Sequence, residues 1–148
     1  MEFIEIIENK KRYLSLLLLA DEQEDMINRY IDRGRMFALI DNEVMTICIV
    51  TDEGDGVLEI KNIATEPSFQ RKGYGKAMIS AIEDKFKEKF SILQVGTGDS
   101  PLTIPFYESC GFQRSHKIKD FFIKNYRHTI IEEGIQLVDM IYLRKDLT

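Results

Sequence analysis

The chain has 148 residues and a formal net charge of −5 at pH 7, and 44% of its residues are hydrophobic and 30% are charged. These values are ordinary for a globular protein, and the length predicts one domain over residues 1–148 with a single sizeable core. The acidic balance disfavours general nucleic-acid binding, for which a basic face is expected.

The N-terminal third of the chain predicts a strand followed by two helices. Glu2 to Ile7 alternates polar and apolar residues, as in a half-buried strand. Asn9 is a candidate cap for the first helix. Asp21 to Arg33 predicts the second helix, and Gly34 is expected to end it. The apolar face of the first helix consists of Tyr13, Leu14, Leu17 and Leu18.

The middle of the chain predicts three consecutive strands and a helix. Arg35 to Ile40 and Val44 to Thr51 flank a polar turn and predict a hairpin. Val57 to Thr65 predicts a third strand, which ends before Pro67 because proline cannot continue a central ladder. A helix with apolar residues at helical spacing follows and extends to about Lys89.

The next segment predicts a short strand and a short helix. Ser91 to Val95 is apolar, and Gly96 to Ser100 predicts a glycine turn. Ser100 is a candidate N-cap of a helix that ends at Gly111, but Pro105 would remove one helical hydrogen bond. We therefore expect this helix to be kinked or to start later.

The C-terminal part predicts two further strands, Phe112 to Ile118 and Gln136 to Leu143, around an ambiguous segment from Asp120 to Ile131. Three consecutive antiparallel strands followed by a β-α-β crossover predict an α/β protein with a mixed sheet and helices packed on it.

Apolar runs and cysteines indicate the cellular setting. The longest apolar run, Leu16 to Ala20, is too short to span a bilayer, and no basic region precedes an apolar run at the N-terminus. We therefore expect no signal peptide and no membrane partner. Cys48 and Cys110 follow neither metal nor redox spacing, so we expect no metal site and a reduced, cytoplasmic location.

A glycine-bearing loop between the third strand and its helix is a candidate anion site. Unpaired backbone N–H groups at a helix start favour phosphate, and two glycines let the anion approach closely. Ala77 excludes a Walker loop, and Met78 excludes a dinucleotide fingerprint. The alternative is a glycine turn that merely joins strand and helix. The loop consists of Gln70, Arg71, Lys72, Gly73, Tyr74, Gly75 and Lys76.

Two motifs together resemble the GCN5-related N-acetyltransferase (GNAT) superfamily. The first is the loop Gln70 to Gly75, and the second is the run Phe106 to Phe112, one helix and one strand later. The resemblance covers roughly residues 35–118, and the tail resembles a bacterial subgroup. It implies the GNAT fold, a mixed sheet of about six or seven strands flanked by about four helices, with the parallel strands 4 and 5 splayed apart.

The resemblance further implies acetyl-CoA as the co-substrate and direct transfer to a primary amine in a ternary complex. The backbone N–H groups of the loop would bind the pyrophosphate, and a strand edge would pair with the pantetheine arm. Many family members have an asparagine where this chain has Ser100. The residues implied to bind the co-substrate are Ile63, Ala64, Thr65, Gln70, Arg71, Lys72, Gly73, Tyr74, Gly75, Lys76 and Ser100.

Two residues match catalytic positions of the family. Glu59 matches a glutamate that serves some members as the base, and it could instead face solvent or pair with a lysine. Tyr107 matches the tyrosine that protonates the leaving thiolate, since a phenol with a pKa of about 10 is protonated at neutral pH. Its alternative role is that of a core aromatic residue.

Several assignments stay open at this point. A non-catalytic acyl-CoA sensor module on the same fold is the alternative function. The acceptor is a small-molecule or protein amine, and the acidic chain favours a cationic one. Phe121, Phe122 and Tyr126 line an acceptor pocket or form a contact in a possible homodimer.

Overall fold

The computed structural model describes residues 1–148 and contains nine strands and five α-helices. The strands are β1 (Glu2–Ile6), β2 (Arg35–Asp41), β3 (Glu43–Asp52), β4 (Val57–Thr65), β5 (Ile92–Gly98), β6 (Gln113–Ile118), β7 (Ile131–Glu132), β8 (Ile135–Gln136) and β9 (Met140–Asp146). The helices are α1 (Leu14–Ala20), α2 (Glu24–Ile27), α3 (Tyr74–Phe86), α4 (Ile104–Ser109) and α5 (Phe121–Asn125). None of the helices is both long and apolar enough to cross a membrane.

One seven-stranded sheet has the order β1-β2-β3-β4-β5-β9-β6, and β7 and β8 form a separate hairpin. Neighbouring strands are antiparallel except β4 and β5, which are parallel and joined by the crossover through α3. The predicted mixed sheet, with its fourth and fifth strands parallel, is confirmed.

The parallel strands β4 and β5 pair over only part of their length. Their register extends from Val57 opposite Ile92 to Ile60 opposite Val95. Beyond these residues β4 continues along β3, and β5 continues along β9. The sheet therefore opens into a gap between β4 and β5.

A register shift in β4 changes which side chains face each side of the sheet. Ile49 of β3 is opposite Asn62, whereas Val50 is opposite Ile60, so Lys61 is the extra residue of a bulge. Before the bulge Ile60 packs in the cluster beneath α3, and after it Ala64 packs in the cluster beneath α1.

Each face of the sheet has its own core. The larger cluster contains 19 buried residues and lies beneath α3 and α4. The smaller one contains 11 and lies beneath α1 and α2. The predicted apolar stripe of α3 is confirmed, because the buried residues of this helix are Met78, Ile79, Ile82 and Phe86.

The second predicted helix is much shorter than Asp21 to Arg33, since α2 has four residues and turns follow it. The ammonium of Lys10 donates to the carbonyls of Ile31 (3.0 Å) and Gly34 (2.7 Å), which lie at the end of the segment and have no helical donors. The predicted capping by Asn9 is also wrong, because Asn9 is left-handed (φ 52°) and makes no capping bond.

The glycine turn predicted at Gly96 to Ser100 is largely strand, because β5 continues to Gly98. Its glycines are explained by close packing, since a Cβ at Gly98 would lie 2.6 Å from the Leu137 side chain. Helix α4 starts at Ile104, so Pro105 occupies the first turn, where no helical N–H is required.

The ambiguous segment contains α5, and the β7–β8 hairpin follows it, so that Gln136 belongs to β8 and β9 starts at Met140 rather than at Gln136. Phe122, Ile130 and Leu137 form a small third cluster that holds this segment together. The segment therefore covers one end of the gap between β4 and β5.

Candidate active site

A cavity of about 580 Å³ occupies the gap between β4 and β5. It is lined by the open part of β4, the end of β5, the start of α4, the link between α1 and α2, and the segment from α5 to β9. Because it lies between two strands of the sheet, the cavity has residues from both faces in its wall.

The glycine loop lies at one mouth of this cavity. None of the consecutive backbone N–H groups from Arg71 to Lys76 donates to another group of the protein. The first helical hydrogen bond of α3 is the one that the Ala77 N–H donates to the Gly73 carbonyl. Arg71 (φ 64°) and Gly73 (φ 89°) both have left-handed backbone conformations, which turn successive N–H groups outward. A Cβ at Gly73 would meet nothing within 4 Å. The loop therefore has the open, donor-rich geometry that suits an anion.

The loop is tied to the open edge of β4. Gln70 donates from its amide nitrogen to the Thr65 carbonyl at 3.1 Å. Gln70, Ile63, Ala64 and Thr65 all line the cavity. The predicted pantetheine edge and the predicted phosphate loop are thus brought together, while Arg71 to Lys76 lie outside the cavity wall.

Tyr107, on α4, also lines the cavity. Its ring packs edge-on against Phe106 (5.2 Å between centroids) and Phe112 (5.7 Å). Burial raises the pKa of the Tyr107 phenol, with a further contribution from neighbouring acidic groups. The hydroxyl therefore stays protonated at neutral pH.

Glu59 lies in the part of β4 that is still paired with β5, and it is not among the residues that line the cavity. Its carboxylate pairs with Lys61 at 2.7 Å and accepts a hydrogen bond from Gln94 at 2.6 Å. Arg144 in turn donates to Gln94 at 2.8 Å. Pairing with a lysine is the alternative role named for Glu59 above, and its role as a base stays a prediction.

Ser100 is buried and supports the cavity wall from behind. Its hydroxyl accepts the Leu102 N–H at 3.1 Å and donates to the Glu132 carboxylate at 3.4 Å. Ser100 does not cap α4, whose N-cap position is Thr103, so that prediction is wrong. The Ser100 hydroxyl is therefore already hydrogen-bonded to Glu132 and is not a free group at the cavity surface.

The sequence alone did not single out the acidic part of the cavity. Asp21, Glu22 and Glu132 line it together with Asn62. One signal was available, since Asn62 is a polar residue in an otherwise apolar part of β4. The carboxylates gave no comparable signal, because they lie in segments whose structure depends on tertiary contacts.

The aromatic residues of the ambiguous segment are partly assigned by the structure. Phe122 and Tyr126 line the cavity, and Phe121 packs edge-on against Phe122 at 5.5 Å between centroids. The two roles considered for this group were lining an acceptor pocket and forming a dimer contact. The positions of Phe122 and Tyr126 in the cavity wall favour the first role.

Known proteins resemble this chain over nearly its whole length. Residues 32–114 match the family model described as an acetyltransferase (GNAT) domain. The uncharacterised N-acetyltransferase YvbK of Bacillus subtilis (strain 168) is 35% identical over 143 residues, which is 95% of this chain and 92% of the relative. A GNAT family acetyltransferase from Elizabethkingia anophelis, solved with acetyl-CoA bound, is 30% identical with a TM-score of 0.91, covering 98% of this chain and 97% of that one. An acetyltransferase of Bacillus subtilis, solved in complex with CoA, is 33% identical with a TM-score of 0.89, covering 99% of each chain.

Proposed function

The chain belongs to the GNAT family and is an acetyl-CoA-dependent acyltransferase, and from this premise we propose that it transfers the acetyl group directly to a primary amine in a ternary complex. One observation supports the proposal above the others. The unpaired N–H groups of the glycine loop lie beside the open edge of β4, at a cavity that has residues from both faces of the sheet in its wall. Two substrates can therefore approach one point from opposite faces.

The donor side is formed by the loop and the strand edge. Acetyl-CoA supplies an acyl thioester that an amine nitrogen can attack. The N–H groups from Arg71 to Lys76 would bind its pyrophosphate, and Arg71, Lys72 and Lys76 add positive charge around it. The edge from Ile63 to Thr65 would bind the amide-rich arm as an additional strand does, and one of its N–H groups can polarise the thioester oxygen.

Tyr107 is proposed as the donor to the departing sulfur. It lines the cavity, and its raised pKa keeps the hydroxyl protonated. A hydrogen bond from this hydroxyl stabilises the negative charge that develops on sulfur as the carbon–sulfur bond breaks.

The base is proposed from two carboxylates. Glu59 is the family-matched candidate, and it lies on the α1 side of the sheet with Lys61 and Gln94 as partners. Glu132 is a second candidate, because it lines the cavity and burial raises its pKa, which suits a group that must accept a proton near neutral pH.

Calorimetric titration with acetyl-CoA, followed by an amine-dependent assay of CoA release, tests the proposal. We expect binding and a release rate that rises with amine concentration. Absence of binding at millimolar acetyl-CoA would contradict it. Binding with slow release that no amine accelerates would instead favour the acyl-CoA sensor module.

A further inference from the structure

The acidic part of the cavity has carboxylates without cationic partners. The charged residues that line the cavity are Asp21, Glu22, Lys61 and Glu132. Lys61 is engaged with Glu59 at 2.7 Å, and Asp21, Glu22 and Glu132 form no salt bridge. The cavity wall therefore presents carboxylates that no protein cation pairs directly, although the charge of Arg29 is close enough to Asp21 to lower its pKa.

Asp21 is held in a fixed position within this wall. Tyr126 donates to one carboxylate oxygen at 2.6 Å, and Tyr30 donates to the other at 2.9 Å. The desolvation penalty of burial raises the pKa of Asp21 and outweighs these two hydroxyls, the backbone N–H of Gln23 and the charge of Arg29, which all lower it. A cation bound beside Asp21 would remove that penalty.

A second, independent observation comes from Asn62. This residue is 3% exposed, lines the cavity, and has a side-chain oxygen without any hydrogen-bond partner. Its orientation is fixed, since the amide nitrogen donates to the Leu17 carbonyl at 3.0 Å and to the Tyr30 hydroxyl at 3.1 Å. Because Tyr30 also donates to Asp21, the unpartnered oxygen and the carboxylate belong to one hydrogen-bonded group. Such an oxygen requires an N–H or O–H donor.

The reacting amine can donate an N–H to the Asn62 oxygen, but it does not supply the positive charge that matches Asp21. An amine attacks in its neutral form, so an acceptor with a single amino group brings no positive charge to the wall once it is ready to react. The charge that matches Asp21 must come from another group on the same acceptor.

We propose that Asp21 and Asn62 form a subsite for a second ammonium group, and that the acceptor is an aliphatic diamine or polyamine. This inference rests on the proposed acetyltransferase function and extends it to the acceptor. The apolar and aromatic surfaces of Phe122, Ile130 and Leu137, which line the same cavity, suit the methylene chain between the two nitrogens. An acceptor with a carboxylate in place of the second ammonium meets like charge and an unpartnered oxygen.

Three acceptors of equal length test the inference on the native protein. They are 1,4-diaminobutane, butylamine and 4-aminobutanoate, which share four carbon atoms and end in an ammonium, a methyl group and a carboxylate, respectively. We expect kcat/KM for the diamine to exceed that for butylamine by at least about tenfold, the order of a charge-assisted hydrogen bond, and 4-aminobutanoate to be the poorest acceptor. Equal values for diamine and monoamine, or preference for 4-aminobutanoate, would overturn it.

Two variants test whether Asp21 causes the preference for the diamine over butylamine. In Asp21→Asn the ratio of diamine to butylamine should fall towards one, whereas Glu133→Gln, a neighbouring exposed carboxylate outside the cavity wall, should keep the native ratio. A native ratio in Asp21→Asn would overturn the assignment.

Calorimetry of 1,4-diaminobutane with the CoA-saturated protein provides a readout that needs no turnover. Diamine binding that Asp21→Asn abolishes supports the subsite even if the transfer assay fails, and no binding by the native protein overturns the subsite while leaving acetyl-CoA binding intact.

Discussion

Replacing Gly73 by alanine should weaken acetyl-CoA binding, whereas the same change at Gly54 should not. The two glycines have nearly the same backbone strain, with φ of +89° and +86°, and a Cβ at either position meets nothing within 4 Å. A left-handed conformation costs a residue with a Cβ about 1–2 kcal/mol. The lower entropy of the unfolded alanine chain offsets about 0.4–1 kcal/mol of this. A variant that keeps the left-handed conformation should therefore lose about 1 kcal/mol of stability.

Only Gly73 belongs to the run of unpaired N–H groups. If the alanine loop relaxes to a negative φ, the N–H groups beside it turn away from the anion, and binding must restore the strained conformation. About 1 kcal/mol of such strain corresponds to about a fivefold rise in the Kd for acetyl-CoA. Gly54 lies in the turn between β3 and β4, so its strain is not coupled to the loop.

Calorimetric titration of acetyl-CoA into the native protein and both variants measures this, and thermal unfolding shows whether the strain is present in the unbound protein. Gly54→Ala should lose about 2–4 °C in Tm, and Gly73→Ala should lose less, because its relaxed loop meets the strain only when acetyl-CoA binds. An unchanged Kd in a Gly73→Ala variant that keeps the native Tm would refute the idea that this backbone conformation presents the N–H groups. An equal rise in both variants would show that the effect is global.

Three further predictions concern side chains at the site. Tyr107→Phe should lower kcat about 10²-fold or more and leave acetyl-CoA affinity nearly unchanged, because only a hydroxyl is removed from a packed ring; equal turnover would exclude its role as a donor. Glu59→Gln should shift the pH–rate profile if Glu59 is the base, and an unshifted profile would count against it and favour Glu132. Burial raises the pKa of Glu132 in the folded protein above its unfolded value of about 4.3. As the pH rises through this range, the folded protein must hold a buried charge, and its free energy of unfolding falls. Glu132→Gln should therefore gain Tm relative to the native protein at pH 8 but not at pH 4, with Glu133→Gln as the control; a pH-independent difference would contradict the burial of this charge.

The sheet was predictable from the sequence where a strand has a local pattern and clear ends. Val57 to Thr65 is predicted with the bounds that β4 has, because a glycine turn precedes it and Pro67 follows it. The segment from Asp21 to Arg33 was not predictable in this way. Its helical spacing is real, but the N–H groups of Arg29 and Tyr30 bond three residues back, as in a series of turns, and Lys10, distant in sequence, binds the carbonyls at its end.

The donor side of the site was more predictable than the acceptor side for a related reason. The loop from Gln70 to Lys76 acts through its own backbone, so the order of its residues contains the whole signal. The acidic wall brings together Asp21, Asn62 and Glu132 from distant parts of the chain. No local pattern shows that such residues converge, and tertiary contacts such as the hydrogen bonds of Asp21 with Tyr126 and of Asn62 with Tyr30 are needed to place them.

The bulge at Lys61 explains how one strand can serve both substrates. Successive residues of a strand face opposite sides, so after the bulge Asn62 and Ala64 face the α1 side while Ile63 packs in the cluster beneath α3. The donor loop lies on the α3 side, where Thr65 approaches Gly75, and the acidic wall lies on the α1 side. Without the extra residue the register would move by one, and Asn62 would exchange faces with Ile63. The bulge therefore positions Asn62, which is proposed to bind the acceptor, directly beside the edge that is proposed to bind the donor.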